Sequence, residues 1–338
     1  MVRPQYWPRR LLRLATLFAV VPLSLAPHRI EAGGVLFVVK DVNIVGEYDA
    51  ATGATINANF ISLPKGLSHS LAVDGNNHLF VSNGTNTAGT GTVGEYNAIT
   101  GAAISVPFLT ASQGLSDPND LAVDASSHLM VLNRHGLTVG QYDATTSATI
   151  NPALVNDNQG LNDPIFLALD KVNNHLFVDD DITGTVSEFN TTTGATIKFH
   201  FADLGFSGAY QLLADNHNHL FVNGARTFVG IEELDAITGA VINPTFIPGP
   251  VYGMTLDDNN HLLVDNGSAI GQYDATTGAA INANLITGLS NANSIAFVSV
   301  VPEPATLVLM ALAAVVIAVV RARVNGALIT SNPAAHSK

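Results

Sequence analysis

A unit of about 45 residues recurs along this 338-residue chain, and no other feature limits its fold as tightly. One motif reads GEYDAATGATI from Gly46 and returns from Gly94, Gly140, Ser187, Glu232 and Gly271. Its anchors Tyr48, Tyr96, Tyr142, Phe189, Leu234 and Tyr273 are spaced 48, 46, 47, 45 and 39 residues apart. A second motif, LAVDGNNHLFV from Leu71, precedes each later copy and returns from Leu121, Leu167, Leu212 and Met254. The first copy has only the back half, VLFVV from Val35. Its missing front half stands far downstream, as SIAFVSV from Ser294.

Each unit predicts three or four strands: LAVD, then HLFV after a turn rich in Asp, Asn and Gly, then GxYDA, then GATI. Small Ala72, Ala122, Ala168 and Ala296 suit an inner strand crowded against an axis. Residues 33–302 number 270, and 270/6 gives 45 per unit, the length of a four-stranded propeller blade. The expected architecture is an all-β, six-bladed β-propeller over residues 33–300, with strand 294–299 pairing with Val35–Val39 to close blade one. Scarce charge (12% of residues) and 29 glycines fit short strands and turns better than helical bundles. The absence of Cys excludes disulfides, thiolate metal sites and thiol catalysis. With 14 Lys+Arg against 27 Asp+Glu, the chain lacks the basic face that nucleic acid requires.

Both ends read as addressing rather than fold. Arg3, Arg9 and Arg10 precede the apolar stretch Leu14–Ala26, so residues 1–32 are expected to form a helical export signal cut after Ala32. At the other end VPEPAT (301–306) is followed by an apolar run to Val320, then Arg321 and Arg323. A helix over 305–320 would be about 24 Å long and hold its basic end in the cytoplasm. This tail, 301–323, resembles the PEP-CTERM sorting signal. The resemblance implies an exosortase-type membrane transpeptidase as partner, with Pro302, Glu303 and Pro304 as recognition residues. It also implies at least transient anchoring through the helix, and delivery to the cell envelope, surface or extracellular matrix. Residues 324–338 are expected to be a disordered tail.

The blade pattern resembles NHL-type propellers, which implies fold and little about function. The repeated Asp74, Asp124, Asp170, Asp215 and Asp257 each open a tight turn and are expected to cap it. His78, His128, His175, His219 and His261 are spread over five blades and are expected to support the same turns. In the YDAxTG box, Asp or Asn starts a turn whose last position needs φ > 0. Ser147 replaces Gly there in the third copy, so that turn is expected to be strained or different. Quinoprotein dehydrogenase repeats carry a similar box, but they use a Trp in each blade and the only Trp here is Trp7.

Ligand chemistry is expected where loops enter the inner strands, at the mouth of the axial channel. The candidates there are His69, Asn119, Asp120, Tyr210, Tyr252 and Asn293. Gluconolactonase-like six-bladed propellers hold a divalent metal at this mouth with a Glu, two Asn and an Asp. This chain offers no Glu at any entry, and Ile165-Phe166 makes one blade apolar. A Ca²⁺ cage wants about six to eight oxygens with several carboxylates. The Asp179-Asp180-Asp181 run reads as a solvated loop, with surface Ca²⁺ as the sharper alternative. No cofactor and no catalytic residue is therefore assigned. Residues 33–302 carry 6 basic against 25 acidic side chains, a net of −19, which favours solubility. The expected function is a non-enzymatic binding or scaffold module for an exopolysaccharide, glycan or peptide. The alternative is a metal-dependent hydrolase or lyase of gluconolactonase type.

Overall fold

The second strand of every unit is a continuous apolar run, and such a run needs cover on both faces. It finds that cover between neighbouring blades. The computed structural model describes residues 34–41, 43–63, 70–205, 211–224 and 230–299. These residues form 24 strands in six four-stranded antiparallel sheets. The inner strands are Ser294–Val298, Leu71–Val73, Pro118–Val123, Pro164–Asp170, Gln211–Ala214 and Gly253–Leu256. Six apolar clusters make up the core, one at each junction between blades. At the first, Phe37 and Val39 of blade one meet Leu79, Val81 and Tyr96 of blade two. The last joins Leu263 and Ile270 of blade six to Leu36 and Tyr48 of blade one.

Outer strands bury only one or two residues near their ends; in Thr55–Ser62 the first five are exposed and Ile61 is buried. Their free edges are blunted against pairing with other chains. A register shift recurs in the outer pair of each blade, as at Glu47/Tyr48, and Pro107, Pro152 and Pro244 interrupt three edges.

Ring closure follows the split repeat. Strand Ser294–Val298 pairs antiparallel with Val35–Lys40, setting Val35 opposite Val298 and Val39 opposite Ser294. The strand ends one residue short of the expected 299, because pairing stops where Val35 begins. Gly34 and Ser299 consequently leave the sheet on one side of the ring. The expected signal over 1–32, the helix over 305–320 and the tail over 324–338 lie outside the described residues. Among the described residues, no helix is long and apolar enough to cross a membrane. The helical turns among them are two 3₁₀ segments, Ala111–Gln113 and Asp157–Gln159.

Candidate ligand site at the channel mouth

The six inner strands surround an axial channel of about 520 Å³. Its entry mouth lies where these strands begin, and its exit mouth where the Asp-Asn turns follow them. The exit side is occupied by framework. Asp74 Oδ1 accepts the N–H groups of Asn76 and His78, both at 2.8 Å, and its Oδ2 lies 3.0 Å from His78 Nδ1. Asp124 with His128, Asp215 with His219 and Asp257 with His261 repeat this at 2.9, 3.0 and 2.8 Å. Blade four has one extra turn residue, Lys171-Val172-Asn173-Asn174. Asp170 there caps Val172 and Asn173, and His175 turns instead to Glu188 at 2.7 Å. The histidines stay on their own blades and do not converge.

The YDAxTG turns are equally regular. Asp49 Oδ1 accepts from the N–H of Ala51 and Thr52, and Asn97, Asp143, Asn190, Asp235 and Asp274 do the same. Ser147 holds φ = 59°, a left-handed conformation that costs a residue bearing a Cβ, so the expected strain is present. Its carbonyl accepts from Gln113 Nε2 of the preceding blade at 2.8 Å, a brace that recurs at the glycine turn of blade four, where Gln159 Nε2 donates to Gly194 O.

The entry mouth differs from blade to blade. Ser70, Asp120, Phe166, Gln211, Gly253 and Ser294 occupy it on the inner strands. Beside them on the second strands stand Ser82, Leu132, Asp179, Asn223, Asp265 and Val39. Of the sequence-derived candidates that are described, Asp120 lines the channel. Its Oδ1 accepts from Ser70 Oγ of blade two at 2.6 Å, and its Oδ2 from Leu167 N of blade four at 2.9 Å. One carboxyl thus pins three inner strands. Burial pushes Asp120 up to about 6, against the pull of the hydrogen bonds from Leu167, Ser70 and Leu121. Asn119 is also structural, donating from Nδ2 to Ile165 O at 2.7 Å. Asn293 stands exposed on the rim. Tyr252 is 54% exposed and lies over Gly267, whose Cβ, if present, would be 3.0 Å from the ring. His69 and Tyr210 lie outside the described residues.

Asp179 and Asp180 correct the solvated-loop expectation. Both belong to strand His175–Asp180 and are buried, Asp179 completely. Asp179 Oδ1 accepts from Ile165 N at 3.3 Å and Phe166 N at 2.5 Å, where the inner strand of blade four bulges at its start. Asp180 caps Asn162, Asp163 and Thr183. Burial raises Asp179 well above the carboxylate range, and nearby Asp120 adds to the effect. Asp265 is also fully buried, accepts from Gly267 N at 2.6 Å, and is pushed up to about 6 by burial. One oxygen on each of Asp179, Asp265 and Gln211 has no hydrogen-bond partner. Among the described residues, no three His, Asp or Glu side chains come together as a metal would need.

Comparison with known proteins divides along the same line as the structure. The PEP-CTERM protein-sorting motif matches residues 300–323. Among solved structures, a chain from a nidogen/laminin complex superposes with a TM-score of 0.62 at 13% identity, covering 79% of this chain and 99% of that one. A gluconolactonase from Xanthomonas campestris superposes at 0.51 and 17% identity, covering 68% of this chain and 78% of that one. No curated protein matches the chain significantly. The structural likenesses establish the propeller and nothing chemical. The sorting motif implies an exported protein, handled by an exosortase-type system and at least transiently anchored.

Proposed function

We propose that this is a non-enzymatic binding module, displayed at the cell surface or in its surrounding matrix, with the entry mouth of the propeller as its ligand site. The observation that carries the reading is the commitment of Asp120. A hydrolase of gluconolactonase type needs its mouth carboxylates free for metal or substrate. Here both oxygens of Asp120 tie neighbouring blades together, and Asn119 is spent on the same joint. Phe166 on blade four and Gly253 on blade six bring no further ligand to the inner strands. The exposed ring of Tyr252 is better suited to holding a ligand than to transforming one.

Purified protein should show no lactone hydrolysis above background with Ca²⁺, Mn²⁺ or Zn²⁺ supplied. Metal-dependent turnover that disappears in Asp120→Asn, with the fold intact, would establish the enzymatic alternative instead.

A further inference from the structure

Around the ring the inner strands cap one another, and the relay is broken over half of it. The N–H of Asp74 bonds His78 O on the second strand, and Asp124, Asp215 and Asp257 repeat this, so alternate residues of the inner strands turn their backbone edge to the axis. At the entry end these are Leu71, Leu121, Leu167, Leu212, Met254 and Ile295. Their side chains are packed in the clusters between blades, so the part of them that lines the channel is backbone. On three blades the preceding neighbour covers this N–H. Ser294 Oγ accepts from Leu71 N at 3.3 Å, Ser70 Oγ from Leu121 N at 3.3 Å, and Asp120 Oδ2 from Leu167 N at 2.9 Å. The next three entry positions hold Phe166, Gln211 and Gly253. Phe166 has no acceptor, Gln211 donates instead to Met254 O at 3.3 Å, and Gly253 has no side chain. Among the described residues, no side chain accepts from the N–H of Leu212, Met254 or Ile295. A Cβ on Gly253 would lie 3.5 Å from Ile295 N, where a serine could cap it as Ser70 caps Leu121.

This open half is reached from solvent. The channel wall runs from Ser70 and Asp120 to Asn216, His217 and Asp258, and the last three are exposed at the exit. Its volume is within the range of small-molecule sites. What the open half presents is a strand edge, and the edge left barest is that of Ser294–Val298, whose Ile295 and Phe297 both line the channel. Met254 O on blade six is already shared with Gln211, whereas Gly253 leaves Ile295 uncovered. The group that matches such an edge is another extended backbone, which supplies a carbonyl to each N–H and an N–H to each carbonyl. Asp215, Asp257 and Asp258 at the exit, against Lys171 alone, disfavour an acidic ligand. Resting on the reading of the protein as a binding module, we propose that the channel takes an extended, uncharged peptide as a fifth strand on blade one, paired with Ile295 and Phe297. The paired segment is no longer than the five-residue strand it joins.

Calorimetric titration of the full-length protein in detergent, with acetyl-Ala-Ser-Ala-Ser-Ala-amide, its fully N-methylated analogue and cellotetraose, tests this. The first peptide should bind, and the analogue, which has no backbone N–H to donate, should not. Gly253→Ser supplies the missing cap and should weaken peptide binding about threefold to tenfold while raising the melting temperature, which sets misfolding aside as the explanation. Gly253→Ala adds a carbon without an acceptor and should bind the peptide as the parent does. Equal losses in Gly253→Ser and Gly253→Ala, or equal binding of the two peptides, would overturn the strand pairing. Cellotetraose binding where the peptide does not would replace the peptide with a neutral glycan and leave the binding-module reading standing. Absence of peptide binding would overturn the proposal, whereas the binding-module reading fails separately, by lactone turnover.

Discussion

In four of the six blades a tyrosine of the third strand lies across the glycine two residues before it. A Cβ on Gly140 would meet Tyr142 at 2.7 Å, and on Gly271 would meet Tyr273 at 2.6 Å. Where the tyrosine is Phe189 the partner is Ser187, and where it is Leu234 the partner is Glu232, so the two positions change together. The pairing was visible in the repeats, but its cause was not, because strand alternation says only that both residues share a face. Tyr142 is fully buried and donates to Gln113 O at 3.0 Å, so it cannot swing aside. Gly140→Ser should therefore cost about 1–3 kcal/mol through overpacking. Adding Tyr142→Phe, which recreates the pair of blade four, should recover about 0.5 kcal/mol or more of that loss in a double-mutant cycle. Strictly additive losses in chemical denaturation would show that ring and glycine do not compete for space.

At the scale of strands and turns, the repeat announced the elements that serve every blade and concealed those peculiar to one or two. Turn caps such as Asp74 and Asp274 recur, and recurrence itself marked them as framework. The second-strand position held by Val39, Ser82, Leu132, Asp179, Asn223 and Asp265 has no consensus, so nothing in the pattern singled it out. Asp179 was further disguised by the two aspartates that follow it, which together imitate a polar loop. Reading that one column across the blades, and noting an acid at the end of an otherwise apolar strand, was the signal that could have found these buried carboxyls. The same acids give the domain an unusual pH response. Asp120 and Asp265 titrate near 6 in the folded chain, against about 3.9 when unfolded. The folded state thus holds more protons between these values, and stability falls as pH rises through that window. Asp143, Asp235 and Asp274 act oppositely, held low by hydrogen bonds from Thr146, Thr238 and Thr277, and lose their contribution only below about pH 4. The melting temperature should accordingly rise as pH drops from 7 to 5, and Asp265→Asn should flatten that rise. A profile that falls steadily over this range would contradict the burial assigned to these groups.

Over the whole molecule, the split repeat predicted the closure because half a blade cannot satisfy its own edge. Truncation before Asn293 would strip Val35–Val39 of its inner partner and open the junction where Leu36 and Tyr48 pack on blade six. The truncated protein should lose its cooperative thermal transition and aggregate. A monomeric product melting within a few degrees of the parent would refute the clasp. The closing strand has a mechanical side as well. Residue 299 follows it directly, and the sorting motif begins at residue 300. While that tail tethers the domain, drag on the propeller runs along Ser294–Val298 in the direction of the strand. Ladder bonds in an antiparallel pair lie across that direction. The bonds to Val35–Lys40 are therefore loaded together in shear and not peeled one at a time, and the chain leaves the ring at Ser299, on the side opposite the mouth.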